Sequence, residues 1–201
     1  MAVAAAQAWH AEGRRLPGAA GPVEAGTAFV RCWQELTGVH AEVLTREGLH
    51  VLDRLEPPVG VSGAVRRAES PDTELVLRWL GDFHAEAMPD HVMADQDVLA
   101  RQVVDGVYLL WEDAGQPVSL AGRRTAMGVG RIGPVYTPPE HRRRGYAAAV
   151  TAAATELVLD AGARPTLFTD LANPTSNGVY RRLGYRLVDE LTDWRFTDAP
   201  A

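Results

Sequence analysis

The chain has 201 residues, of which 46% are hydrophobic, and its formal net charge at pH 7 is −6. This length is enough for one well-cored domain with an appendage, and the negative charge argues against non-specific binding to nucleic acid or anionic membranes. All 20 basic residues are arginine, which excludes mechanisms that need a Schiff-base lysine or a P-loop lysine. Cys32 is the single cysteine, which excludes an internal disulfide and multi-cysteine zinc sites.

Residues 1–26 are rich in Ala and Gly and show little periodicity, so we expect a mobile or weakly helical leader. They lack the basic segment and sustained apolar run of a secretory signal. No stretch of the sequence approaches the roughly 18 apolar residues of a membrane span. Together with the single cysteine, these features predict a soluble protein of the cytoplasm.

Regular structure is predicted to begin at Thr27, because apolar side chains from Phe29 to Leu36 recur on one helical face and Gly38 follows the last turn. Residues 49–55 resemble a strand, which ends before Pro57-Pro58. The predicted division of the chain falls there, between an N-terminal extension of residues 1–58 and a main domain of residues 59–201.

The middle of the chain alternates helical and strand patterns. Glu112 to Gln116 has the composition of a hairpin turn, and Pro138-Pro139 would end a strand because proline lacks the backbone donor. The predicted elements are a strand at 64–68, a helix opening at Ser70-Pro71-Asp72, a helix at 95–104, and strands at 107–111, 117–123 and 127–137.

The last third begins with three arginines and a glycine that lead into an Ala-rich helix ending at Asp160, before Gly162. The elements predicted after it are a strand at 165–169, a helix that opens at Asn173-Pro174 and reaches Leu183-Gly184, and one or two strands at 185–196. This order predicts an α/β fold with a mixed, mostly antiparallel sheet flanked by helices.

The turn Arg142-Arg143-Arg144-Gly145-Tyr146-Ala147 has the layout of an anion site. It follows a strand and precedes a helix, so the free amides of the first helical turn and the helix dipole would both favour negative charge. Gly145 and Ala147 are small where a ligand must approach the backbone, and an arginine can reach phosphate oxygens. The alternative for the arginines is an ordinary solvated turn.

The pattern Arg142-x-x-Gly145-x-Ala147 resembles the acyl-CoA motif of the GNAT superfamily of N-acetyltransferases, and a second motif of that superfamily follows. The segment from Asn173 to Tyr185, with Tyr180 before the Gly184-Tyr185 pair, is similar to its conserved Asn-led helix. The resemblance covers residues 60–196 and implies a sheet splayed at the cofactor site. It departs at Arg143, where the most common family form has Gly.

The resemblance implies acetyl-CoA as co-substrate and assigns roles along both motifs. The thiolate that leaves would take a proton from Tyr180 as general acid, whose alternative role is that of a core aromatic. Asn173 would cap its helix and touch the pantetheine arm. The implied cofactor-binding residues are Val135, Tyr136 and Thr137 at the pantetheine, Arg142, Arg143, Arg144, Gly145, Tyr146 and Ala147 at the pyrophosphate, and Asn173 and Ser176.

The general base is predicted to be Asp170, at the end of the strand expected beside the acyl site; Glu112 and Glu86 are alternatives, and each of the three carboxylates also fits a solvated surface position. His84-Ala85-Glu86 with His91 suggests a zinc deaminase, but the cysteines of that enzyme class are absent. No metal is predicted.

The resemblance therefore predicts an N-acetyltransferase that acts on a primary amine of a small molecule or peptide. The alternatives are a non-catalytic acyl-CoA sensor or structural protein on the same fold, and a nucleotide-binding protein. No nucleic-acid or membrane partner is expected, and a homodimer is possible. Residues 27–55 are interpreted as a degenerate acyltransferase-like lobe, an arm over the substrate pocket, or a subunit contact.

Overall fold

The computed structural model describes residues 1–198 as two compact units that interleave along the sequence. The first unit comprises Met1–His50, Phe168–Asn177 and the described chain from Leu187 onwards; the second comprises Val51–Leu167 and Gly178–Arg186. The predicted division near residue 58 stays a prediction about separate domains.

The described residues form six α-helices and one eight-stranded sheet, in the strand order β1-β8-β2-β7-β6-β5-β4-β3. The predicted mixed α/β fold is therefore confirmed. The elements are α1 (Ala2–Ala11), β1 (Gly18–Pro22), α2 (Val23–Thr37), β2 (His40–Leu52), β3 (Ala64–Arg67), α3 (Thr73–Ala87), α4 (Gln96–Val104), β4 (Tyr108–Asp113), β5 (Gln116–Ala126), β6 (Val129–Tyr136), α5 (Tyr146–Asp160), β7 (Arg164–Asp170), α6 (Pro174–Arg182) and β8 (Tyr185–Thr197).

Of the two alternatives predicted for residues 1–26, a mobile or a weakly helical leader, the structure supports helix for residues 2–11, which form α1, and it adds the unpredicted strand β1 at residues 18–22. Alanine is the best helix former, and Trp9 packs edge-on against Phe29 with ring centroids 5.6 Å apart. Ala6 is fully buried. An Ala-rich segment with little periodicity is thus held in place by a few contacts that a sequence pattern does not reveal.

Helix α2 begins four residues before the predicted Thr27 and ends as predicted, with Gly38 in the left-handed conformation after the last turn. Its buried face includes Phe29 and Trp33, which stack at 5.9 Å. Trp33 also stacks on Phe196 at 6.4 Å, in the strand that pairs antiparallel with β1. These aromatic contacts form the core of the first unit.

The second unit contains the antiparallel meander that the sequence predicted. β3 pairs with β4, β4 with β5 and β5 with β6, all antiparallel. The β4–β5 turn is shorter than expected, with Ala114 and Gly115 both at positive φ, as a two-residue hairpin requires.

Strand β6 is bulged near its end. Ala121 pairs with Val135, and Arg123 pairs with Ile132, so two residues of β6 face one residue of β5. The parallel pairing of β6 with β7 runs from Val129 through Ile132, and β6 continues four residues further to Tyr136. A short 3-10 helix, Pro139–His141, connects this continuation of β6 to the arginine turn.

Two hydrophobic clusters lie on opposite faces of this part of the sheet. Leu109 belongs to the cluster that includes Val150 and Val158 of α5, whereas Leu110 belongs to the cluster that includes Val76 of α3. Because successive strand residues point to opposite faces, α5 and α3 cover the two sides of β4. No helix within residues 1–198 is long and apolar enough to cross a membrane.

Candidate active site

The arginine turn joins the end of β6 to α5. Arg143 has φ 64° and Gly145 has φ 87°, so two residues with positive φ flank Arg144. The first intrahelical hydrogen bond runs from the Ala149 amide to the Gly145 carbonyl, at 3.0 Å, and no side chain caps the helix. The amides of the first turn are therefore open to an anion.

Gly145 is required for two structural reasons as well as for ligand approach. Its positive φ is strained for any residue with a side chain, and a Cβ atom there would lie 2.8 Å from Cγ2 of Val61. Arg143 and Arg144 are exposed beside it. The turn thus combines an exact backbone shape with two solvent-facing guanidinium groups.

The side chain of Arg142 is bound by other groups of the protein, and its predicted contact with the pyrophosphate stays a prediction. Its Nη2 donates to Oε2 of Glu86 at 2.6 Å, and its Nε donates to the carbonyl of Thr137 at 2.8 Å. The guanidinium also lies 5.8 Å from the centroid of the Tyr136 ring. Arg142 thus fastens the turn to its surroundings, although its side chain, like those of Arg143 and Arg144, is exposed.

Tyr146 was predicted among the cofactor-binding residues, but its side chain is buried and its hydroxyl donates to Oδ2 of Asp113. The hydroxyl of Tyr146, followed by Ser62, keeps the pKa of Asp113 below its usual value. Only the backbone amide of Tyr146 remains for an anion. The side chain attaches the start of α5 to the β4–β5 hairpin.

Groups at the end of β6 are also bound by other parts of the protein. The Tyr136 carbonyl accepts a hydrogen bond from Oγ of Ser119 at 3.0 Å, and the Tyr136 ring packs against Trp79 at 6.4 Å. Burial, followed by the charge of Glu86, raises the pKa of Tyr136. Arg142 occupies the Thr137 carbonyl, and the predicted contact of the Val135 and Thr137 backbone with a pantetheine arm stays a prediction.

Tyr180 is partly buried, and its ring meets that of Tyr185 edge-on at 6.3 Å. Burial raises the pKa of Tyr180 to about 12. Within residues 1–198 no group is hydrogen-bonded to its hydroxyl, whereas the hydroxyl of Tyr185 lies 2.7 Å from Oγ1 of Thr155. Tyr180 therefore holds its proton at neutral pH and has a hydroxyl that the protein does not use.

Asp170, Asn173 and Ser176 lie in the first unit. Asp170 is exposed, and its Oδ1 accepts the Ala172 amide at 2.8 Å, which gives the carboxylate a turn-forming role. Oδ1 of Asn173 accepts the Ser176 amide at 3.1 Å, so Asn173 is the N-cap of α6, as predicted. The assignment of Asp170 as base stays a prediction.

The other carboxylates named as possible bases are engaged by arginines. Glu86 binds Arg142, and Oε1 of Glu112 lies 3.0 Å from Nε of Arg66. In the described part of the chain, no group of three or more His, Cys, Asp or Glu side chains is placed to hold a metal.

A buried network in the first unit escaped the sequence analysis. Asn177 Nδ2 donates to the carbonyls of Asp170 and Leu171, so its Oδ1 accepts the Thr169 hydroxyl at 2.5 Å. Because that hydroxyl has one hydrogen, the His50 Nε2 that lies 3.1 Å from it must be the donor. His50 and Thr169 are 119 positions apart, and no local pattern connects residues at such a separation.

The predicted site residues are thus distributed over the two units. Those of the arginine turn, the end of β6 and Tyr180 belong to the second unit, and Asp170, Asn173 and Ser176 belong to the first. Their union in one site stays a prediction. Within the second unit, the open helix start and the exposed arginines suit a phosphate anion, and a protonated tyrosine can act as a proton donor.

The fold defined by these elements is that of the GNAT acetyltransferases, as comparison with solved structures shows. A GCN5-related N-acetyltransferase from Kribbella flavida is 26% identical, with a TM-score of 0.64 over 97% of this chain and 72% of its own. An acetyltransferase of the GNAT family from Colwellia psychrerythraea is 12% identical, with a TM-score of 0.63 over 90% and 65% of the two chains.

A third structure, of the protein Rv2747 from Mycobacterium tuberculosis in complex with CoA, is 17% identical, with a TM-score of 0.53 over 63% of this chain and 73% of its own. The chain thus spans about two thirds of the length of these solved proteins. No curated protein matches it.

The model of the FR47-like protein family matches residues 112–194. Together, these comparisons confirm the resemblance to the GNAT superfamily and support acyl transfer as the general chemistry. They also extend it, because the structural match to the Kribbella protein covers 97% of the chain, whereas the two motifs indicated a similarity that began only at Gly60. The residues before Gly60 are therefore part of the shared fold.

Proposed function

We propose that the protein transfers the acetyl group of acetyl-CoA to a primary amine of a small molecule or peptide. The observation that carries the proposal is the start of α5, where Gly145 leaves the first-turn amides uncapped beside two exposed arginines. A pyrophosphate is the kind of anion that such a helix start binds. The complex of Rv2747 with CoA, in a protein of the same fold, supports CoA as that ligand.

In the proposed reaction, the neutral amine attacks the thioester carbonyl carbon, a C–N bond forms, and the C–S bond breaks. The amine nitrogen loses one proton, and the sulfur of CoA gains one, so the products are an amide and free CoA. Tyr180 as general acid gives its hydroxyl proton to the departing sulfur. The proton lost by the amine passes to solvent, and solvent returns a proton to the Tyr180 oxygen. The unpaired hydroxyl of Tyr180 and its raised pKa support this role, because the group is protonated at neutral pH.

The first experiment is a calorimetric titration of the protein with acetyl-CoA, repeated with Gly145→Val. The variant introduces a branched side chain at φ 87°, against Val61, so the turn should lose its shape and saturable binding should disappear. Gly162→Val is the matched control, because Gly162 also has positive φ and follows the other end of α5, with nothing near its missing Cβ. It should lose stability, by about 1–2 kcal/mol, and still bind acetyl-CoA.

Absence of binding by the wild-type protein would overturn the enzyme assignment and leave only a shared fold. Equal loss of binding in both glycine variants would trace the effect to general destabilisation and remove the support for the turn. Binding lost in Gly145→Val alone would justify a screen of amine acceptors. Thermal melting of each variant separates loss of the fold from loss of the site.

A second candidate function is a non-catalytic acyl-CoA-binding sensor or structural protein. The observation in its favour is that the three carboxylates considered as bases are each engaged, Asp170 by a turn amide and Glu86 and Glu112 by arginines. The test is whether bound acetyl-CoA is turned over with any amine. A cytoplasmic location and a homodimer remain proposals that rest on the sequence.

A further inference from the structure

The end of α3 is linked to the arginine turn through one carboxylate. Glu86 accepts two hydrogen bonds: Arg142 Nη2 lies 2.6 Å from its Oε2, and the Tyr136 hydroxyl lies 3.3 Å from its Oε1. Both oxygens are therefore held by donors from the segment that leads from β6 into the turn. A carboxylate held in this way is a poor general base, since a proton must compete with a guanidinium.

Arg142 connects Glu86 to the backbone of the turn. While one nitrogen of its guanidinium binds Glu86, its Nε donates to the Thr137 carbonyl at 2.8 Å, and the whole group lies over the Tyr136 ring. A planar guanidinium that engages three partners has little freedom. The backbone of Arg142 is thereby fixed directly before the first left-handed residue, Arg143.

The partners of Arg142 are themselves rigid. The Tyr136 ring is buried against Trp79 of α3, and the Ser119 hydroxyl binds the Tyr136 carbonyl and lies 2.8 Å from Oγ1 of Thr137. Helix α3 thus supplies both Glu86 and the packing surface beneath Tyr136. The foundation of the turn is the core of the second unit rather than a mobile loop.

The turn needs this support because its backbone includes a left-handed conformation that is energetically unfavourable. Arg143 has φ 64° without being a glycine, which costs about 1–2 kcal/mol. A strained conformation persists only where neighbouring contacts hold it. The proposed anion site on the amides of residues 143–147 depends on this backbone conformation.

We propose that Glu86 is a positioning residue for the anion-binding turn, acting through Arg142. The inference rests on the proposed use of CoA and deepens it: Glu86 serves affinity for the phosphates of the co-substrate rather than proton transfer. Removal of its charge should therefore weaken binding of ligands that carry the pyrophosphate and leave binding of the pantetheine portion unchanged.

The test measures dissociation constants of CoA and of pantetheine, which has no pyrophosphate, for the wild type and Glu86→Gln. Glu86→Gln should bind CoA about three- to fivefold more weakly, the upper range for a half-exposed ion pair, with pantetheine unaffected. Glu42→Gln is the matched control, because it breaks a Glu–Arg ion pair of similar exposure elsewhere in the chain. The side chains of Glu86 and Arg142 are 47% and 43% exposed, and those of Glu42 and Arg195 are 54% and 40% exposed. Glu42→Gln should bind both ligands as the wild type does.

A double-mutant cycle tests the route through Arg142. In an Arg142→Met background, Glu86→Gln should cause no further loss of CoA affinity, because the partner through which it acts is gone. A further loss of the same size would overturn the inference, as would unchanged CoA affinity or an equal loss for pantetheine in the single variant. If the wild type binds no CoA, the proposed function is contradicted. If the wild type binds CoA and Glu86→Gln binds it equally well, only the positioning role of Glu86 is contradicted.

Discussion

Helices α5 and α6 both follow a strand end, yet their N-termini are built in opposite ways. At α5, Gly145 offers no capping side chain, and the first-turn amides stay open. At α6, Oδ1 of Asn173 accepts the Ser176 amide, and the carboxylate of Asp170 accepts the Ala172 amide just before it. One helix start is satisfied by its own side chains, and the other is left for an external anion.

Under the proposed function, this contrast separates two tasks, the binding of CoA and the transfer of a proton. In the proposed function the start of α5 binds phosphate, and the side chains of its neighbours Arg142 and Tyr146 hold the turn in its shape. Helix α6 needs no ligand to complete its start, and its distinctive group is the hydroxyl of Tyr180, nearer its other end. Binding is thus expected to depend on backbone shape at α5 and turnover on one side chain of α6.

The largest effect is expected for Tyr180→Phe. If Tyr180 is the general acid, kcat should fall about a hundredfold, the lower range for loss of such a group, while the Kd of acetyl-CoA is unchanged. The measurement is steady-state kinetics with an amine from the acceptor screen, together with calorimetry.

Tyr185→Phe is the control for Tyr180→Phe, because it removes a neighbouring hydroxyl that is hydrogen-bonded within the protein and has no proposed role in the reaction. Oγ1 of Thr155 donates to the Thr151 carbonyl, so the Tyr185 hydroxyl donates to Thr155. Its loss should cost about 1 kcal/mol of stability and leave kcat unchanged. Unchanged kcat in Tyr180→Phe would remove the general-acid role and favour the packing role considered from the sequence.

The raised pKa of Tyr180 gives a second, smaller test. A folded-state pKa of about 12 against an ordinary value of 10.0 means that protonated Tyr180 contributes stability that is fully present below pH 10 and is lost as the pH rises to about 12. The wild type should therefore lose more stability over this range than Tyr180→Phe. Urea unfolding at successive pH values checks this; identical losses would show that the environment of Tyr180 is not desolvated.

The sequence predicted the parts of this comparison that are local. Glycine, proline and capping side chains act over a few positions in the chain. They therefore indicate the arginine turn, the Asn173 cap, the hairpin and the succession of strands along the chain. For the Ala-rich α1 the sequence predicted at most weak helicity, because the helix is held by Trp9 against Phe29, which lies 20 positions away in the chain.

The contacts that give site residues their roles were beyond sequence analysis for the same reason. Glu86 is 56 positions from Arg142, and Asp113 is 33 from Tyr146. Nothing in the spacing of these residues shows that two of the predicted cofactor-binding side chains are engaged by carboxylates of the protein itself. Only the folded chain distinguishes an arginine that meets the ligand from one that supports the turn.

At the capped helix, Asn173→Ala should lower the free energy of unfolding by about 1 kcal/mol. The Kd of acetyl-CoA should change little if the Asn173 side chain serves α6 alone. Asn173→Asp retains a capping oxygen and should restore the stability. Denaturant unfolding and calorimetry measure the two effects; weaker acetyl-CoA binding in the stable Asn173→Asp variant would instead support the predicted contact of Asn173 with the pantetheine arm.

The smallest effect is expected at Arg143, the position where the resembling family most often has Gly. Arg143→Gly removes left-handed strain of about 1–2 kcal/mol but adds unfolded-state entropy worth roughly 0.5–1 kcal/mol, so the stability should rise slightly. Arg144→Gly removes the same charge, but Arg144 has no positive φ to relieve, so this variant should lose about 0.5–1 kcal/mol of stability.

The affinity for acetyl-CoA tests the same residue. If Arg143 contributes mainly its backbone, Arg143→Gly should weaken acetyl-CoA binding no more than Arg144→Gly does. A stability loss of equal size in both variants would contradict the strain at Arg143, and a much larger loss of affinity in Arg143→Gly would assign its guanidinium to the phosphates.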